Sequence, residues 1–247
     1  MRHITSSDRR RFLQSLSAAG VAAFTVPTFT VPGLFAQQLA QTTAMTTEGP
    51  FYPDKMPLDT DNDLLIINDA ITPGVGEITH LTGRVTTASG QPIRNAIVEI
   101  WQVDQGGSYI HSGGRQLTNV DRNFQGYGRF LTDARGQYYF RTIKPVEYTL
   151  IGIPRCPHIH MAISRNGQRV FTSQLMVSGH PANAKDMVMN GLTANVRATV
   201  MAEFTPLPGS KLGELTANWD IILGRTAEEF QEGPIKGFGP PQQRRRG

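Results

Sequence analysis

Cysteine is nearly missing: Cys156 is alone among 247 residues. That excludes an intrachain disulfide framework and any cysteine-built zinc or iron–sulfur site. Histidine is scarce as well. The six stand at positions 3, 80, 111, 158, 160 and 180, so a histidine-built metal site must draw on that short set. A basic face is also lacking. The net charge of +4 comes from the two ends, with Arg2, Arg9, Arg10 and Arg11 against Asp8 at one and Arg244–Arg246 at the other. Between them the chain is slightly acidic and carries no nucleic-acid motif. Glycine (25) and proline (16) are plentiful, which favours turns over long helices. The hydrophobic share of 39% suits a folded domain.

The first forty residues have the makings of an address. Ser7-Asp8-Arg9-Arg10-Arg11-Phe12-Leu13 precedes an apolar stretch from Leu16 to Phe35, which Gly20, Pro27 and Pro32 interrupt. A charged start, a short apolar middle and small residues near the end describe an export signal. Paired arginines before x-Phe-Leu resemble the twin-arginine type, which serves bacterial proteins that fold before crossing. A membrane anchor fits less well, because the stretch is short and rich in Ser, Thr and Pro. Export to the periplasm is therefore expected, with no stable membrane association once the signal is removed.

Residues 41–79 show little periodicity and are expected to form an extended N-terminal arm. From residue 80 the pattern changes to short strands separated by turns: 80–87, 96–102, 129–132, 137–143, 158–164 and 169–177, with a last strand at 219–223. Asn166-Gly167 is a strong hairpin signal. Residues 185–204 suit a short helix or a long loop. The tail from Gly233 is expected to be disordered. The fold class is all-β: a β-sandwich of mostly antiparallel strands with long loops, over residues 80–232.

Pro157-His158-Ile159-His160 is the strongest local signal for chemistry. On a strand, residues two apart face one side roughly 6–7 Å apart, so both imidazoles can reach one metal ion. A cupin-type site needs a glutamate shortly downstream, and none occurs from 161 to 202. A two-His-one-carboxylate ferrous site could use only Asp133 or Glu147, both in expected turns. Cys156 lies beside Pro157 and reads as a small buried residue. Tyrosine remains: a strongly Lewis-acidic ferric ion can hold it as phenolate although free phenol titrates near 10. Tyr109, in the glycine-rich Gly106-Gly107-Ser108-Tyr109, and Tyr148, ten residues before His158, are candidates. Tyr52, Tyr127, Tyr138 and Tyr139 compete, though the last two sit within a strand where structural roles are expected.

Several ordered motifs carry a resemblance. They are Gly83-Arg84-Val85, Gly90-Gln91-Pro92-Ile93, Ala96-Ile97-Val98-Glu99-Ile100-Trp101-Gln102, Gly107-Ser108-Tyr109, Leu131-Thr132-Asp133, Gly136 through Pro145, and Arg155-Cys156-Pro157-His158-Ile159-His160. Over residues 47–180 the chain resembles the intradiol ring-cleavage dioxygenases and, within them, the iron-binding (beta) chains of the protocatechuate branch. The resemblance implies a non-haem Fe(3+) held by Tyr109, Tyr148, His158 and His160. It implies a catechol-type substrate, dioxygen as co-substrate and a cis,cis-muconate-type product. Tyr148 would take a catechol proton, Arg155 would stabilise electron-rich substrate, and Gln174 would lie beside the substrate. Phe51 or Tyr52, in Gly49-Pro50-Phe51-Tyr52, would line the pocket.

The chain departs from the protocatechuate pattern between Tyr148 and His158, where Thr149–Pro157 is short and apolar, so a carboxylated substrate is not implied. Two other classes explain less. A non-catalytic transthyretin-like binding module accounts for the strands but not for two Tyr, two His and a placed Arg together. A zinc hydrolase on His158 and His160 lacks a third ligand and a general base. A homo-oligomer is compatible with the extended arm.

Overall fold

The computed structural model describes residues 41–57, 59–112, 120–150 and 152–224. The export-signal and tail segments lie outside these. Among the described residues the strands are β1 (Ile78–Thr87), β2 (Ile97–Trp101), β3 (Tyr127–Leu131), β4 (Gln137–Ile143), β5 (Tyr148–Leu150), β6 (Ile153–Arg155), β7 (His158–Arg165), β8 (Gln168–Val177), β9 (Met201–Ala202), β10 (Thr205–Pro206), β11 (Leu215–Asn218) and β12 (Ile221–Leu223). They build two five-stranded sheets and one small hairpin. The protein is an all-β sandwich with mixed sheets.

In the first sheet β1 is the hub. Its alternation of buried and half-exposed residues is what a strand with one face inward requires. It pairs antiparallel with β4 and parallel with both β11 and β12. The second sheet runs β3-β2-β7-β8-β9 and is antiparallel except for the last pair. Asn166 and Gly167 close the β7–β8 hairpin with φ of 50° and 76°. Both residues take positive φ readily, so this turn sets the register of the two strands.

Leu81, Val85 and Phe140 from the first sheet pack with Val98, Ile100, Ile159, Met161, Ile163 and Leu175 from the second. The arm is bound into this core rather than lying loose. Leu64 and Leu65 are fully buried, Leu64 N–H donates to Arg141 O (2.8 Å), and Thr46 N–H donates to Thr172 O (3.0 Å). Residues 185–204 hold both forms the sequence allowed. Single-turn helices α1 (Met187–Asn190) and α2 (Ala194–Arg197) stand among turns. No helix among the described residues is long and apolar enough to cross a membrane. The β5–β6 hairpin and the two-residue strands β9 and β10 have no sequence signal, because they are too short to show alternation.

Gly83 marks a close crossing. A Cβ there would stand 2.0 Å from Trp219 O and 2.6 Å from the Tyr138 hydroxyl. Neither can withdraw, since Trp219 N–H donates to Thr82 O and Tyr138 O–H donates to Trp219 O. Gly83→Ala is expected to destabilise the fold by about 3 kcal/mol. A lowered urea midpoint with unchanged slope would show it.

Strand β7 is buried on both faces over His158–Ser164. Ile159, Met161 and Ile163 point into the core between the sheets, so His158, His160 and Ala162 must point to the other face. That outer face is roofed by the arm, the loop after β2 and the β5–β6 hairpin.

Candidate metal centre

Four side chains converge under that roof. Tyr109 follows a tight turn after β2, Tyr148 opens β5, and His158 and His160 stand two apart on β7. Asp104 builds the turn: its Oδ1 accepts from Gly106 N–H and Ser108 N–H, both at 2.9 Å. Gly107 adopts φ +78°, and its α-carbon face lies against Tyr148, where a Cβ would stand 3.3 Å from the Tyr148 Cβ. A glycine is needed there both for conformation and for approach.

The donor atoms face one another. Tyr109 Oη lies 3.4 Å from Tyr148 Oη, 3.3 Å from His158 Nε2 and 3.1 Å from His160 Nε2. His158 Nε2 lies 3.5 Å from Tyr148 Oη and 3.2 Å from His160 Nε2. Most of these are long for hydrogen bonds. They match donors around a common ion: ligands about 2.1 Å from one centre stand about 3.0–3.6 Å apart as the angle between them opens from 90° to 120°.

The tautomer of His158 agrees. Its Nδ1–H donates to Cys156 O at 2.6 Å, which leaves the Nε2 lone pair facing the other three groups. His160 stacks on Trp101, centroids 4.9 Å apart and planes 7° apart, with Gly49 close to its edge. Burial drives the His158 imidazole down to about 4 and His160 well below its usual value, so both are neutral and ligand-competent at neutral pH. Burial also pushes the Tyr109 and Tyr148 phenols up. Four neutral groups around one buried point suit a cation that can hold phenolate. No three of His, Cys, Asp or Glu come together to hold a metal among the described residues, so the histidines gain partners only in the tyrosines. Asp133 caps an exposed turn, and Glu147 lies 3.6 Å from His180.

Arg155, opposite Tyr148 in the β5–β6 pair, is buried. Its Nη2 donates to Gln174 Oε1 at 2.7 Å, and Gln174 Nε2 donates to Thr47 O at 2.8 Å. Gln174 is the cross-strand neighbour of His160. The arm presents Phe51 to the site: its ring stacks on Tyr109 at 5.0 Å. Tyr52 turns away, donating to Glu99 Oε1 at 2.7 Å and meeting Trp101 edge-on at 5.0 Å. Tyr127 also donates to Glu99 (2.5 Å), and Tyr138 donates to Trp219 O, so both serve structure.

Sequence reasoning missed Asp104, Trp101, Glu99 and Asp186. Glu99 had a signal: a charge inside an apolar strand must find buried partners. It receives Tyr52, Tyr127 and Arg169, whose Nη2 is 3.2 Å away.

Two measurements follow from the burial of the site. In the metal-free protein, His158 binds a proton near pH 4 when folded and near 6.5 when unfolded. Between those values the unfolded state holds more protons, so stability falls as pH falls. The loss expected by pH 4 is about 3 kcal/mol from this residue alone, read from urea midpoints, and His158→Phe should make the slope shallower, with His160 supplying the rest. The Cys156 thiol is buried beside Asp186 and pushed up to about 12. It should therefore resist iodoacetamide at pH 8 in the folded protein and react on unfolding, as mass spectrometry would show.

Comparison with known proteins gives the family. The model of a family described as dioxygenase matches residues 47–224. The protocatechuate 3,4-dioxygenase beta chain of Burkholderia cepacia is 35% identical over 186 residues, covering 72% of this chain and 77% of that protein. The catechol 1,2-dioxygenase of Acinetobacter baylyi is 32% identical over 164 residues, 58% of this chain and 49% of that one. Among solved structures, catechol 1,2-dioxygenase from Acinetobacter sp. ADP1 superposes with a TM-score of 0.59 at 20% identity, covering 96% of this chain and 84% of that one. At that identity the likeness concerns the fold.

Proposed function

The chain belongs to the intradiol ring-cleavage dioxygenases, a family of oxidoreductases, and on that premise we propose that it is a non-haem ferric enzyme. It inserts both atoms of dioxygen between the two hydroxylated carbons of a catechol-type ring and releases a cis,cis-muconate-type diacid. The observation that carries this reading is the set of four inward-facing donors from Tyr109, Tyr148, His158 and His160, of which Tyr109 and His158 each lie 3.1–3.5 Å from the other three. Two phenols and two neutral imidazoles suit ferric iron, which would supply Lewis acidity and withdraw electron density from a bound catechol.

The chain's own groups then have distinct tasks. Tyr148 is buried but the least enclosed of the four, and as a phenolate its oxygen could accept a catechol proton. Arg155 keeps its charge at any working pH and stands where it can stabilise charge that develops on the ring. Gln174 holds Arg155 from one side and is itself fixed by the arm. Phe51 stacks against Tyr109 and excludes water from that edge.

The substrate reading is a catechol without a ring carboxylate. Between Tyr148 and Arg155 the sequence reads Thr149-Leu150-Ile151-Gly152-Ile153-Pro154, without a charged side chain. Among the described residues, Arg155 is paired with Asp186, and Arg169 with Glu48 and Glu99. We further propose that the protein works outside the cytoplasm, supported by the twin-arginine pattern of residues 9–13 and the apolar stretch after it. Incubation with ¹⁸O₂ tests the reaction. Both labels should appear in one diacid molecule, with catechol turned over at least as fast as protocatechuate. A product carrying no label from dioxygen would overturn it.

A further inference from the structure

Asp186 is a fully buried carboxylate beside the site, and its two oxygens have separate tasks. Oδ1 accepts from Val188 N–H (2.9 Å) and Met189 N–H (3.1 Å), capping α1. Oδ2 accepts from Arg155 Nε (2.8 Å) and from Cys156 N–H (3.0 Å). Helix capping accounts for Oδ1 alone. A cap needs no arginine, and Ser, Thr or Asn would serve equally.

Three backbone donors on two segments hold this carboxylate in place. The flexible partner is Arg155, whose long side chain must otherwise give up rotamer freedom to sit in one pose. Held at Nε by Asp186 and at Nη2 by Gln174, the planar guanidinium cannot turn. Both contacts are short and the first is charge-assisted.

We propose that Asp186 is a positioning residue for ring cleavage, setting the plane in which Arg155 meets the substrate. This deepens the proposed function and rests on the reading of Arg155 as the group that stabilises charge on the ring. Asp186 touches neither substrate nor metal in this account. It acts only through the guanidinium. Its anionic charge also offsets that of Arg155, so the pair enters the buried site without a net charge.

The test uses the iron-loaded full-length protein and a double-mutant cycle. Asp186→Ser keeps a capping oxygen but removes the partner of Arg155. Asp186→Asn keeps the shape and is the second variant should the first fold poorly. Each is measured alone and with Arg155→Gln, for iron content, kcat and KM on catechol, and the visible spectrum with catechol under anaerobic conditions. Asp186→Ser and Asp186→Asn are expected to keep iron and lower kcat about 10- to 100-fold, the usual cost of losing an orienting partner. KM should move by less than about threefold, and in the Arg155→Gln background either change should cost less than about threefold more. A kcat within twofold of the parent in the iron-loaded Asp186 variants would overturn the proposal. So would a loss that recurs in full on top of Arg155→Gln. If Arg155→Gln alone keeps parental kcat, the reading of Arg155 fails first, and the two failures stay distinguishable.

Discussion

His158→Ala should yield a folded, colourless protein without stoichiometric iron and with ring cleavage reduced to background. The imidazole presents Nε2 to Tyr109, Tyr148 and His160 at 3.2–3.5 Å, so it neighbours each of the other three donors. Removing it leaves three donors and an opening on the β7 side. It also strands Cys156 O, which loses the 2.6 Å hydrogen bond from Nδ1–H. An unpaired buried acceptor costs about 1–3 kcal/mol, and the lost packing adds to it. The sandwich should survive, because the core between the sheets is built from the opposite face of β7. Circular dichroism would report the fold and elemental analysis the iron. Wild-type iron content in the variant would contradict the ligand assignment.

Tyr148→Phe should separate binding from turnover. Tyr109, His158 and His160 remain as donors, so iron should still bind, more weakly. The phenol oxygen that can accept a catechol proton is gone, and general-base losses run at about 10²–10⁴-fold. The expected result is a kcat lower by that factor, an altered visible band because one of two tyrosinates is lost, and a smaller change in KM. Arg155 lies opposite Tyr148 in the hairpin register, and phenylalanine keeps that pairing and the ring packing. An unchanged colour with full activity would remove Tyr148 from the ligand set.

Much of this site can be read from the sequence. His158-x-His160 is visible because a strand puts alternate residues on one side, and the apolar residues between them mark the face that fills the core. Tyr109 and Tyr148 are less visible. Nothing in their spacing tells them from Tyr127 or Tyr138; only the ordered motifs around them do. The residues that hold the site in place are the least legible. Asp186 is thirty residues from Cys156, and its role appears only when its carboxylate is seen to meet Arg155 and the Cys156 amide. Asp104 reads as an ordinary loop aspartate until its oxygen is seen to gather two amides of the Tyr109 turn. The sandwich itself is legible through alternation and the Asn166-Gly167 turn. The parallel pairing of β1 with β11 and β12 is not, since strands of three or four residues carry too few positions for a pattern.

The most direct test of the ferric centre is the visible spectrum of the protein as purified, with its iron content, before and after catechol is added without oxygen. Near-stoichiometric iron, a wine-red charge-transfer band from iron-bound tyrosinate, and a shift of that band as catecholate binds are expected. A colourless protein holding zinc, or one that stays colourless and metal-free after ferric reconstitution, would rule the ferric centre out.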